Sequence, residues 1–188
     1  MALLTSMPRR ALSALGAISL LLAGPMAAQT VRASASDVQA VFLFNFAQFV
    51  EWPADAFATP DAPLVIGILG NDPFGKVLDQ TVQSETVRGR PFQVRRFRRI
   101  QDINPCHILF ISRSEAGHLG EILAAVKDQP VLTVSNSNDF DAQGGIIRFI
   151  VDKSKIRLSI DLDAAQATRL TFSSKLLRSA SVTSTQRN

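Results

Sequence analysis

This sequence predicts a single-domain α/β sandwich with a mainly parallel central sheet, and three observations carry the prediction. Leu64–Leu69 (LVIGIL) and His107–Ile111 (HILFI) are apolar without alternation, the pattern of strands buried on both faces. Strand-like and helix-like segments alternate from residue 64 to 135, which indicates βαβ units joined by right-handed crossovers. Beyond that, Ile146–Val151 and Ile156–Ile160 flank Asp152-Lys153-Ser154-Lys155, a C-terminal β-hairpin with a short polar turn.

The elements follow in order. Arg9-Arg10 precedes an uncharged apolar run, Ala11–Ala23, then Gly24-Pro25 and the small pair Ala27-Ala28. A positive end, a short apolar core and a small-residue exit describe a secretory signal peptide over residues 1–28. The core is short for a bilayer span of about 20 residues, although an uncleaved anchor is the alternative. Cleavage is expected after Ala28, with Ala35 as a second exit, leaving a periplasmic protein. No cysteine near the cut supports a lipid anchor, and the residues after the twin arginine match the folded-protein export route poorly.

The domain is expected over 37–181. Asp37 as N-cap and Pro53 as stop bracket a helix over Val38–Trp52 (VQAVFLFNFAQFVEW). Val38, Val41, Phe42, Phe46, Phe49 and Val50 recur at helical spacing, while Phe44 and Trp52 spread apolar surface to other faces. Such a helix is either deeply buried or part of an interface. After the strand 64–69, Asp72 as N-cap and Pro73 as first residue lead into a helix over Lys76–Glu85. Phe92–Phe97 is a strand nearer an edge. Ser112 and Glu115 have capping-box spacing for a helix over 115–127, and Pro130–Ser135 is the next strand. Asp161 or Asp163 opens a short helix, Ser173 or Ser174 caps a last one over Lys175–Ala180, and 182–188 form a polar tail.

Bulk composition excludes several classes. The leader removes Arg9 and Arg10, lowering 20 basic residues to 18 against 16 acidic, so the mature balance is only +2. Neither that balance nor export implies a nucleic-acid partner. Cys106 is the single cysteine, so no disulfide can form within the chain; a buried thiol is the default reading, a redox or intermolecular role the other. His107 and His118 lack ligand spacing with Cys, Asp or Glu, so neither a metal nor another cofactor is expected. Cys106-His107 resembles a nucleophile and base, but adjacent strand residues point to opposite faces. Ser173-Ser174-Lys175 fits a helix cap better than a Ser/Lys hydrolase, since no nucleophile elbow accompanies it.

Two surfaces stand out. The turn Gly67–Asp72 with Phe74, Ser112-Arg113 and Ser135-Asn136 all follow strands of the parallel sheet, so they share its C-terminal edge, where ligands bind. Exposed helix N-termini there favour an anionic group, although neither dinucleotide nor P-loop spacing is present. The run Arg88–Arg99 holds six arginines in 12 positions and no acid. It either docks an acidic protein face or anionic headgroups, or is a charged edge that prevents sheet pairing. Alternation sets Arg96 and Arg98 on one face, Arg95, Phe97 and Arg99 on the other.

The motifs VFLFNFAQFVEWP (41–53), PLVIGILGNDPFG (63–75), RGRPFQVRRF (88–97), CHILFIS with Ser114-Glu115, LTVSN (132–136), FDAQGGIIRFIVDKSKIRLSIDL (140–162) and SSKLLRSA (173–180) resemble the YfiR family of small exported bacterial proteins. The likeness spans nearly the whole mature chain in order. It implies a dimeric, non-catalytic periplasmic regulator that restrains an inner-membrane diguanylate cyclase through its periplasmic sensory domain, lowering cyclic-di-GMP and biofilm formation. It further implies sequestration by an outer-membrane, peptidoglycan-associated lipoprotein. Some relatives carry cysteine pairs; with Cys106 alone, disulfide control does not transfer.

The family offers no catalytic motif, so contact residues are inferred from this chain. For a regulator docking on a cyclase or sensor kinase, Phe42, Asn45, Phe46, Phe49 and Trp52 with Arg96 and Arg98 are the candidate partner-binding residues. For a small-molecule binder, the candidates are Asp72, Phe74, Ser112, Arg113, Ser135 and Asn136. An enzyme ranks third, for want of an acid/base constellation.

Overall fold

The computed structural model describes residues 33–153 and 155–183; the leader expected over 1–28 and the tail from 184 lie outside the described residues. In chain order the elements are α1 (Ala35–Phe49), β1 (Val50–Glu51), β2 (Leu64–Leu69), α2 (Lys76–Val82), β3 (Thr86–Val87), β4 (Arg90–Phe97), β5 (Ile108–Ile111), α3 (Leu119–Val126), β6 (Leu132–Ser135), β7 (Ile147–Asp152), β8 (Lys155–Asp161), α4 (Leu162–Gln166), β9 (Thr171–Phe172), α5 (Ser174–Arg178) and β10 (Ser181–Thr183). Eight strands form one sheet in the order β10-β8-β7-β6-β5-β2-β4-β3. From β4 across to β7 neighbouring strands are parallel; β8 returns antiparallel to β7 as the expected hairpin, and β3 caps the start of β4.

Both faces of the sheet are covered, which explains the unbroken apolar runs. On one side α1 and α2 bring Leu43, Phe46 and Leu78 onto Ile66, Ile68, Phe110 and Val134. On the other, α3 brings Leu119, Ile122 and Val126 onto Leu69, Leu109 and Ile111. Gly67 lies on that second side, where a Cβ would stand 2.5 Å from the Phe97 ring and 2.7 Å from Cys106 Sγ. A glycine is needed there for close approach rather than for a turn.

Local chemistry shifts several boundaries. Ser34, not Asp37, is the N-cap of α1: its hydroxyl accepts from the Asp37 amide at 3.1 Å, and the Asp37 carboxylate accepts from the Ser34 amide at 2.7 Å. This reciprocal box starts the helix before Val38. α1 stops at Phe49 rather than Trp52 because Val50-Glu51 goes extended to pair with Thr171-Phe172. Asp72 does not cap α2. Its Oδ1 accepts from the amides of Phe74 (2.7 Å) and Gly75 (3.2 Å), an Asx turn, and Gly75 at φ +52° holds the cap position. α2 ends at Val82, short of Glu85.

The segment 115–127 is likewise split. Ser112 caps a 3-10 turn over Arg113–His118 and α3 begins at Leu119. The capping box does not close, since Glu115 accepts from Ser114 Oγ instead of reaching back. By contrast Asp161 caps α4 and Ser173 caps α5, as their sequence positions indicate. Val182 and Thr183, expected at the start of the polar tail, pair with Ile160 and Asp161 as the strand closing the far edge.

Candidate functional site

α1 is apolar on both faces, and this is the surface's main feature. Its inner face carries Ala40, Leu43, Phe46 and Ala47, all enclosed. The small residues Ala40 and Ala47 let the helix axis approach the sheet, so the bulky neighbours at 38, 41, 42 and 49 are rotated outward. Val38 is 37 % and Val41 45 % exposed, with Phe42, Asn45 and Phe49 half-buried beside them. At helical spacing these five make one outward stripe. Phe42 leans on Phe149 (ring centroids 5.9 Å apart) and Lys175 Nζ sits 5.3 Å above the Phe49 ring.

Two predicted partner contacts lie elsewhere. Phe46, at 1 % exposure, stacks on Phe149 inside the core and presents nothing to a partner. Trp52 lies past the helix, and its Nε1 donates to the His107 carbonyl at 3.2 Å. Arg96 is held by this chain: Nε donates to Asp72 Oδ2 (2.7 Å), and its two Nη groups reach both oxygens of Asp79 and the Gly75 carbonyl. Chiefly the Asp79 pairing, then Asp72, raises its pKa further. Arg98 is exposed and makes no ion pair among the described residues. The rest of the run is largely committed, Arg88 to Glu51 and Val50, Arg90 to the Thr59 and Ala62 carbonyls and the Phe57 ring, and Arg99 to Asp102.

The C-terminal edge does gather the predicted ligand residues. The Asn71 amide donates to Ser114 Oγ at 3.0 Å, and Arg113 Nη2 donates to the Asn136 carbonyl at 2.8 Å, tying three consecutive strand ends together. Only some of them face open space. Phe74 is buried against Phe110, Ser112 is a cap, and Ser135 donates to the Ile111 carbonyl while accepting from the Ser137 amide. Asp72 is spent on its turn and on Arg96. Arg113 and Asn136 line a cleft of about 560 Å³, joined by Gln39, Asn138, Arg148 and Val151. Sequence reasoning missed Gln39 and Arg148; the only available signals were a lone polar residue on the helix's inner face and an arginine inside an apolar strand. Arg148 is positioned by Asp141, which also accepts from Ser159 Oγ.

Cys106 and His107 do point apart. His107 Nδ1 accepts from the Val65 amide (3.0 Å) and Nε2 faces the Ala56 carbonyl (3.1 Å), an arrangement satisfied by the neutral ring with its hydrogen on Nε2. Burial, with the Arg90 charge adding to it, holds the imidazole below its ordinary pKa. Cys106 Sγ donates to the Ile108 carbonyl, and burial pushes its thiol up to about 12. A thiol that far from ionising is a poor nucleophile at neutral pH. Among the described residues no group of three or more His, Cys, Asp or Glu could hold a metal ion, and no helix is long and apolar enough to cross a membrane.

What fold and surface define is an α/β protein that offers an apolar helix face and an arginine-lined cleft. The chain belongs to the YfiR/HmsC-like family, whose model matches residues 36–181, as the motif resemblance implies. A search of curated proteins finds no match to the chain.

Proposed function

We propose that this protein is a periplasmic regulatory binding protein that restrains an inner-membrane signalling enzyme, a diguanylate cyclase, by docking on its periplasmic sensory domain. The observation that carries the reading is the outward stripe of α1, where Val38 and Val41 are the large apolar side chains most exposed on any helix of the described fold. An apolar, aromatic-flanked helix face in water is stabilised by a partner that covers it. Family membership supports a regulatory partner of this kind. Restraint follows from population shift: binding one sensor conformation more tightly than the other lowers cyclase output by that difference in affinity. In this reading the cyclase is the principal partner, and a sensor kinase is the alternative inner-membrane enzyme. An outer-membrane lipoprotein would act by withdrawing the regulator, and a homodimer is its working form.

Deleting the gene and measuring cellular cyclic-di-GMP tests the proposal. A rise is expected; unchanged levels across growth conditions would remove the mechanism. A second reading has its own observation, the cleft lined by Arg113, Arg148, Asn136 and Asn138. That chemistry suits a small anion, and the two readings are compatible if a ligand tunes docking. A thermal-shift screen of amino acids and nucleotides would show large, saturable stabilisation if the cleft is a ligand site.

A further inference from the structure

The sheet leaves one long edge open. β3 pairs only with Arg90 and Pro91, so among the described residues no strand lies against β4 from Phe92 to Phe97 on its outer side. On its inner side β4 runs parallel to β2, and the Phe97 carbonyl accepts from the Gly70 amide. In a parallel strand the backbone groups of alternate residues point to alternate sides. Phe97, Arg95 and Gln93 therefore address β2, while the N–H and C=O of Phe92, Val94 and Arg96 point away from it.

The approach to this edge is open too. The chain before β3 turns away at Ser84, which takes a left-handed conformation (φ 62°). A cleft of about 590 Å³ lies between that arm, α2 and the edge, lined by Phe92 and Val94 with Lys76, Gln83, Glu85 and Asp79, the last of these neutralised by Arg96. Phe92 and Val94 are spaced two apart, as pockets for alternate side chains of an added strand would be. The strand and the two residues after it carry five arginines and no acid. Among the described residues Arg98 makes no ion pair and Arg95 makes a single long contact, 3.5 Å to the Asn104 carbonyl, while Arg99, exposed, pairs with Asp102.

We infer that the outer edge of β4 is a strand-addition site for an extended acidic segment of a partner protein, with main-chain hydrogen bonds to Val94 and Arg96 and ion pairs to Arg98 and Arg95. The same charges discourage pairing of two copies of this edge, since arginine would face arginine. The surface is separate from the α1 stripe, and its test does not depend on that reading.

The probe is the acetylated, amidated hexapeptide Glu-Val-Glu-Val-Glu-Glu, whose valines share one face for Phe92 and Val94 while its glutamates reach both Arg95 and, at the last position, Arg98; the same peptide with lysine for glutamate is the control. Anisotropy titration of the purified protein should show saturable binding of the acidic peptide, at least about tenfold tighter than the basic one. Bound peptide should slow hydrogen exchange at the Val94 and Arg96 amides. Val94→Pro removes an outward donor, and Arg98→Glu reverses a charge without touching the fold; each should weaken binding about tenfold. Absence of saturable binding up to about 1 mM overturns the inference, as does binding that leaves those two amides unprotected. Protection that rises with protein concentration alone would assign the edge to a second copy and equally overturn it.

Discussion

Val41 and Leu43 sit two residues apart on α1 and face opposite ways, so substituting each separates docking surface from core. Leu43 is fully enclosed. Leu43→Ala removes its packing and leaves a cavity, at a cost of about 2–5 kcal/mol. Val41 is 45 % exposed, so Val41→Asp gives up only about half of a valine's burial, roughly 1 kcal/mol, and almost nothing in helix propensity, where valine and aspartate rank together. Urea unfolding at neutral pH reads both: the Leu43→Ala midpoint should drop at least about twice as far as that of Val41→Asp. In cells the order inverts at equal protein level, Val41→Asp releasing cyclic-di-GMP production while folded. A Val41→Asp protein as destabilised as Leu43→Ala would refute the outward placement of residue 41. A stable one that still restrains fully would refute its role in docking.

Three further outcomes follow from individual contacts. The folded imidazole of His107 resists protonation, so as pH falls below about 6.5 the unfolded chain takes up the proton first. The stability His107 contributes is therefore complete above that pH and is lost as pH falls through the folded value; urea midpoints should drop from about pH 7 to pH 5, and less so in His107→Asn, whose amide oxygen still accepts from Val65. Arg96→Leu breaks the bonds to Asp72 and Asp79 on a part-exposed surface, costing about 1 kcal/mol, and the difference from wild type should shrink in high salt. Asp161→Ala leaves the Asp163 and Ala164 amides without their cap and should lower stability by about 1–2 kcal/mol, with Asp161→Ser recovering most of it.

Much of this architecture is legible from residues whose chemistry is local. Leu64–Leu69 reads as a two-faced buried strand because both faces are indeed covered, and Ser173 and Asp161 read as caps because a short polar side chain can satisfy only nearby amides. Elements decided by distant partners are not legible. Nothing in Val50-Glu51 announces Thr171-Phe172, and β10 is visible only from its neighbour Ile160. The Asp72 turn misleads for a related reason: Asp-Pro reads as a helix start, whereas the left-handed glycine three residues on resets it. In α1 the excess of apolar residues is plain, but the phase is not. Large side chains suggest the buried stripe, while packing selects small ones, Ala40 and Ala47, and turns Val38 and Val41 outward. At the C-terminal edge the sequence brings the right loops together; which of their side chains are consumed, Ser112 as a cap and Ser135 by backbone hydrogen bonds, depends on contacts no spacing encodes.

A photo-crosslinking amino acid placed at position 41 in the living cell tests the docking claim most directly, with position 124 on exposed α3, across the sheet, as its counterpart. Irradiation should trap the cyclase from position 41 and not from 124. Equal adducts from both positions, or none from 41 while restraint persists, would contradict the account.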